Sequence, residues 1–434
     1  MKYHLVTTSL EQTWKTNDTV LFLGTWCQHH ERKEKWSTID YKVAPYHWDD
    51  IDLLIADEKY CDCVYEELLV ELSSFLNKYH NIKWPIRSWR LVLGPWLRRY
   101  VSILRDRWLS IQSISDKYQI SSVLCGRHYS SCLSCKDLSD FSRLSKDDVW
   151  NYYLYSLIIH KITTYKIEYL DIKPNVKRKE KRKSQKKSFL SIIKGFYFIG
   201  LVQQVLRFLS RNNKIYMQQT YISRMSNIFK LNINFGDFPI YSYKEDYLNN
   251  DKYNHNERKK IDISYRGKDE FIDFVFQVLP EMLPIIYFEG FKNLRKSVVS
   301  RRFPKNPKII FTTIGVYSDY VFTAWTADRI KKGTKLIIGQ HGGYYATAKI
   351  PGEFFYHELK CSDAYFSWGW RMPSFDIRPI TSFPFLGLES GNWKNKGKIV
   401  IVTRIVCRNS AELTTSTLPG KNNTEFMNRL VALI

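Results

Sequence analysis

The sequence predicts an α/β protein built on a Rossmann-like parallel sheet, and three neighbouring stretches carry that prediction. Residues 308–313 (K-I-I-F-T-T) form a short apolar run of the kind a buried strand needs. Residues 319–332 then place Val321, Phe322, Ala324, Trp325 and Ile330 at helical spacing. Ser318 stands where an N-cap belongs and Gly333 where a C-cap glycine belongs. Residues 335–343 (K-L-I-I-G-Q-H-G-G) give a second apolar run that ends in a glycine-rich turn with one imidazole. Strand, capped helix and strand make a βαβ unit with a right-handed crossover. The turn therefore lies at the carboxyl end of a parallel strand, where open α/β sheets bind ligands.

The remaining elements follow in order. Residues 3–7 and 20–23 read as strands, 54–79 and 150–170 as long helices, and 214–219 as a further strand. Gly94, Pro95 and Trp96 read as a structural turn with a packed indole. Arg98, Arg99, Arg105 and Arg107 beside it read as a solvated basic face or, second, an acidic-substrate site. Residues 249–258 are a polar loop, 271–283 a helix ending at Pro284, and 364–370 (A-Y-F-S-W-G-W) a strand of the same sheet. Residues 390–397 have linker composition, 398–403 restart a strand, and one helix near 424–433 follows. This predicts a main domain over 1–390 and the start of a truncated α/β domain over 398–434.

A chain of 434 residues with a formal charge of +23 calls for an anionic partner, or for a genome that inflates lysine. The charge concentrates at 173–188, rich in Lys and Arg with a single acid, Glu180. An apolar stretch at 189–209 follows, interrupted by Lys194, Gln203, Gln204 and Arg207. Together 172–210 read as an insertion suited to an anionic membrane surface, or as a core helix behind an exposed loop. Nucleic acid is disfavoured, because the charge sits in one linker without an aromatic platform. Residues 1–10 lack a signal peptide and no run reaches about 18 uncharged apolar residues. The expectation is a cytoplasmic protein, peripheral at the inner face of the membrane. Its eight cysteines are expected reduced. Cys125, His128, Cys132 and Cys135 are too closely spaced for a zinc tetrahedron, so no metal is expected.

Several strings resemble a family of transferases from bacterial surface-polysaccharide (O-antigen) loci. They are L-V-T-T-S-L-E-Q-T-W (5–14), L-F-L-G-T-W-C (21–27), Y-H-W-D-D (46–50), L-G-P-W-L (93–97) and W-N-Y-Y-L-Y-S (150–156). G-T-K-L-I-I-G-Q-H-G-G (333–343) and S-W-G-W (367–370) extend the resemblance over nearly the whole chain. The family carries further glycine after QHGG, where this chain has Tyr344, Tyr345 and Ala346. The resemblance implies a glycosyltransferase of the two-Rossmann-domain (GT-B-like) type, with an incomplete second domain and independent activity in doubt. It implies a nucleotide-sugar donor as substrate, a glycan or lipid-linked glycan acceptor, and no cofactor. Alternatives are a polyol-phosphate transferase of cell-surface polymers or a non-catalytic binding fragment.

Such a transfer needs a base for the acceptor hydroxyl and dipolar or cationic groups for the departing phosphate. Asp49 and Asp50 are candidate bases, with a helix N-cap as the competing role. His341 is the preferred catalytic or anion-contacting group, with Gln340, Gly342 and Gly343 around the substrate phosphate. His357 and Glu358 are further substrate contacts or a surface loop. Thr7, Thr8 and Glu11 follow the first strand and line the cleft or cap a helix.

Overall fold

A computed structural model describes residues 1–173 except 16, 128 and 129, then 214–221, then 251–382 except 302, 344, 347, 349 and 351–354, and residue 409. Two parallel five-stranded sheets occupy these residues. In the first, β1 (Lys2–Val6), β2 (Val20–Phe22), β3 (Tyr41–Val43), β4 (Gln119–Cys125) and β5 (Ile167–Tyr169) run in the order β3-β2-β1-β4-β5. In the second, β6 (Ile215–Gln218), β7 (Ile309–Thr312), β8 (Lys335–Gly339), β9 (Ala364–Ser367) and β10 (Ile377–Pro379) lie side by side in chain order. The class is α/β, compatible with Rossmann-like units. The stretch over 1–390 that the sequence predicts as one Rossmann-like domain holds both sheets among the described residues. Their strands are too short for apolar periodicity to say which sheet each joins.

Local chemistry explains most element boundaries. The βαβ unit is present: helix Tyr320–Lys331 joins β7 to β8. Its cap is Asp319 rather than Ser318, because the Asp319 carboxylate accepts from the backbone of Val321 and Phe322. Gly333 has φ of +91°, the left-handed conformation expected of a C-cap glycine. Asp147 caps helix Asp148–Ile162 in the same way. That helix stops eight residues short of the expected 170, since residues 167–169 leave it to pair with β4 as β5. In the expected polar loop at 249–258, Asn254 caps a single helical turn, His255–Arg258. The basic stretch, the apolar stretch at 189–209 and the tail at 398–434 lie outside the described residues, apart from Lys173 and Asn409.

The largest departure from the sequence reading is helix Ile86–Ser115, which runs straight through Gly94, Pro95 and Trp96. Every residue from Leu91 to Leu104 is buried, Arg98 and Arg99 included, so the arginines form no solvated face. This helix packs against helix Ile51–Tyr79, helix Asp148–Ile162, helix Tyr320–Lys331 and helix Phe355–Cys361, which places it between the two sheets. Gly94 permits that closeness. A Cβ there would come within 2.5 Å of the His357 ring and 2.9 Å of the Tyr65 hydroxyl. Gly94→Val should therefore cost about 1–3 kcal/mol of stability by overpacking, read as a lower urea midpoint. Adding His357→Ala should restore part of the loss. Wild-type stability in Gly94→Val alone would mean that His357 can move aside.

Candidate functional site

Side chains from β9 and from the segments that follow β7 and β8 converge on one carboxylate. Glu358, on helix Phe355–Cys361, is fully buried. Its Oε1 accepts from His341 Nε2 at 2.7 Å and from the Tyr317 hydroxyl at 2.8 Å, and its Oε2 accepts from Tyr365 at 2.9 Å. The Tyr345 hydroxyl stands 3.0 Å from His341 Nε2 and 3.4 Å from Oε1. Tyr317 follows β7, His341 and Tyr345 follow β8, and Tyr365 belongs to β9. An anion this deeply buried is tolerable only when several donors replace its water, as they do here. Burial, and then the adjacent Glu358 charge, push the Tyr317 and Tyr365 hydroxyls well above the ordinary phenol value, which keeps them as donors.

This geometry sets the imidazole's tautomer. Glu358 takes the proton on Nε2, so Nδ1 carries the lone pair. Nδ1 has no hydrogen bond among the described residues, and the side chain is 19% exposed. The arrangement is a histidine oriented by a buried acid, able to accept a proton from a bound hydroxyl. His341 and Glu358, separate candidates in the sequence, are thus brought into one dyad.

Gln340 braces the turn. Its amide nitrogen donates to the Gly342 carbonyl, and its oxygen accepts from Trp368 N and Trp370 Nε1, each at 2.8 Å. With its polar atoms committed inside the protein, Gln340 is a clamp between QHGG and SWGW rather than a substrate contact. Among the described residues, a Cβ at Gly343 would meet nothing within 4 Å, and one at Gly342 only the Tyr345 ring at 3.4 Å. Space, not internal packing, is what the two glycines leave.

The other candidates stand elsewhere. Asp50 is the N-cap of helix Ile51–Tyr79, accepting from the backbone of Asp52 and Leu53, so its carboxylate serves the helix start rather than catalysis. Asp49 ends the preceding 3-10 turn, His47–Asp49, half-buried. His357 is buried against Gly94. Thr7, Thr8 and Glu11 follow β1 in the first sheet, and none of them bonds to a residue of the histidine site. Thr7 accepts the Trp26 indole through its carbonyl, and Glu11 pairs with Lys35 and Arg32. Thr8 is buried, with no partner for its hydroxyl among the described residues. Sequence reasoning missed the three tyrosines. Only Tyr345, one helical turn's spacing from His341, offered a signal. Among the described residues no cluster of His, Cys, Asp and Glu could hold a metal, and no helix is long and apolar enough to cross a membrane.

The model of the LIC12162 family transferases matches residues 3–432. The chain belongs to that family. A general transferase activity is what membership supports. No curated protein and no solved structure matches the chain. For this LIC12162 family member, the site's chemistry therefore has to be argued from its own residues.

Three buried histidines around this scaffold have a measurable consequence. Burial holds His357 down to about 3, with Arg90 and Lys360 adding to the effect. Burial likewise holds His47 down to about 4 against the pull of Asp106, and His80 down to about 4 against the Tyr287 carbonyl. All three fold as neutral rings, while the unfolded chain protonates them near pH 6.5. Below that pH the unfolded state binds more protons, so stability falls as pH drops from about 6.5 toward 4. Glu58, raised by burial, works in the opposite sense and blunts the slope. The urea midpoint should fall steadily between pH 6.5 and 4.5, and His357→Leu should make the fall shallower. A flat profile in wild type would contradict the buried neutral rings.

Proposed function

We propose that this protein is a glycosyltransferase of surface-polysaccharide or O-antigen assembly, using a nucleotide-activated sugar as donor and a glycan as acceptor. The observation that carries the reading is the His341–Glu358 dyad at the carboxyl end of β8. In this scheme Nδ1 of His341 takes the proton of an acceptor hydroxyl as its oxygen bonds to the donor's anomeric carbon. The bond from that carbon to the phosphate oxygen breaks, and the nucleotide leaves with the electron pair. Glu358 holds the ring in the receptive tautomer and stabilises the imidazolium that forms. The open space at Gly342 and Gly343 admits the phosphate close to backbone N–H groups. An acceptor linked to lipid, and contact of the basic stretch at 173–188 with an anionic leaflet, are consistent parts of the same proposal.

The test is nucleotide release from a panel of nucleotide sugars, with glycan acceptors, by the purified chain. His341→Ala should lower kcat by about 10²–10⁴-fold, the usual worth of a general base, with little change in donor KM. Glu358→Gln should lower it less and shift the pH profile. Turnover confined to a nucleotide-activated polyol phosphate would favour the polyol-phosphate transferase reading of the same turn. Robust glycosyl transfer by His341→Ala would place the base elsewhere, and release from no donor would sink the reading.

A further inference from the structure

A second candidate site lies at the C-terminal end of helix Ile51–Tyr79. It shares no residue with the histidine site. A cavity of about 650 Å³ is lined in part by Tyr79, His80, Phe288 and Phe291. A neighbouring one of about 480 Å³ is lined in part by Ser74, Phe75 and Tyr79. Tyr79 borders both, so the two form one elongated groove. Tyr79 and the half-buried Phe75 line its floor, and the buried Phe288 backs them. Tyr79 stacks on Phe288 at 4.4 Å between ring centroids, and Phe75 stacks on Tyr79 at 5.8 Å. Tyr79 remains 37% exposed. An aromatic floor in a long polar groove suits sugar rings, which offer C–H faces to aromatics and hydroxyls to the walls.

The charges along the groove divide its two halves. In the larger cavity each carboxylate already has a donor. Glu257 accepts from Tyr79 and Lys260, Glu289 from both arms of Arg258, and Asp251 from Asn293. Arg295 is paired with Asp328. Lys252 and Lys292, both exposed, have no partner among the described residues and leave that cavity with uncommitted positive charge. His80, neutral through burial, adds none. The smaller cavity gathers Glu71, Asp262 and Lys78 beside the Ser74 hydroxyl, and its Lys260 is already paired with Glu257. Such a mixture suits hydroxyl groups rather than a net charge.

We infer that this groove is an accessory binding site for an acidic oligosaccharide, with the acid-bearing unit on Lys252 and Lys292 and a neutral unit over Tyr79 and Phe75. It holds a saccharide chain at a distance from His341. The inference does not rest on the reaction proposed above, and its test uses binding alone.

The probes are a short oligogalacturonate, a malto-oligosaccharide of equal length, and inorganic phosphate, titrated calorimetrically into the full chain. Oligogalacturonate should bind best, and Lys252→Ala/Lys292→Ala should weaken it at least about tenfold through two lost charge-assisted contacts. Because the chain is strongly basic, Lys331→Ala/Lys332→Ala, which removes equal charge away from the groove, serves as control and should bind as wild type. Tyr79→Ala should weaken both oligosaccharides. The inference is overturned by no saturable oligosaccharide binding, by equal losses in both lysine pairs, or by phosphate binding as tightly as the oligogalacturonate. It is also overturned if only phosphatidylglycerol vesicles bind through Lys252 and Lys292, since the groove would then be a membrane contact.

Discussion

A helix buried along fourteen consecutive residues, from Leu91 to Leu104, must bring countercharges into the core for every charge it carries. Helix Ile86–Ser115 does so along its length. Arg98 meets Asp62 and Glu58, Arg105 meets Asp57, and Arg107 meets its neighbour Asp106 and the Asn151 amide. Nearer its start, Arg90 forms two hydrogen bonds with Glu66, and Arg87 two with Asp363. Removing one partner of a well-buried pair such as Arg107–Asp106 typically costs about 3–5 kcal/mol, because the other charge stays behind without water. The partly exposed pairs of Arg87 and Arg90 contribute less. Most of these partners come from helix Ile51–Tyr79. The two helices therefore fold as one charged and apolar unit, and both sheets are attached to it.

The site depends on the same unit. Glu66 also accepts from Lys360, and Asp363 also accepts from the Leu336 backbone and from Lys335. These contacts tie the helix pair to helix Phe355–Cys361 and to β8, the two elements that bring Glu358 and His341 together. Gly94 adds the close approach that seats His357 one residue before Glu358. The position of the catalytic candidate is thus set in part by ion pairs and one glycine that lie outside the dyad.

What was legible in the sequence followed from local rules. The βαβ unit announced itself through two apolar runs, helical spacing and Gly333, and its existence did not hinge on whether Ser318 or Asp319 made the cap. Helix Ile86–Ser115 was hidden for a physical reason. A helix buried on all sides shows no polar face, and its Gly94-Pro95 pair imitates a turn. Its arginines looked solvated because sequence cannot show which acids of another helix will face them. The histidine site was half legible. Position after a parallel strand singled out His341, whereas Glu358 read as a substrate contact or a surface-loop residue. Their pairing spans seventeen positions and depends on how helix Phe355–Cys361 packs back on β8 and β9.

The strings that support the family resemblance divide by role when their side chains are followed. In Y-H-W-D-D, Tyr46 donates to Asp106, Trp48 donates to Asp57, and Asp50 caps a helix. In the L-G-P-W-L string, Gly94 and Trp96 are packing residues. These strings hold the helix pair in place. Q-H-G-G is different: Gln340 clamps the turn to S-W-G-W, His341 retains an unoccupied ring nitrogen, and the glycines leave space that packing does not require. Likeness in the N-terminal strings therefore argues for a shared scaffold, while shared chemistry has to be sought in the histidine turn and its buried acid. A relative that kept Y-H-W-D-D and lost the His–Glu pair would be expected to keep this fold without this reaction.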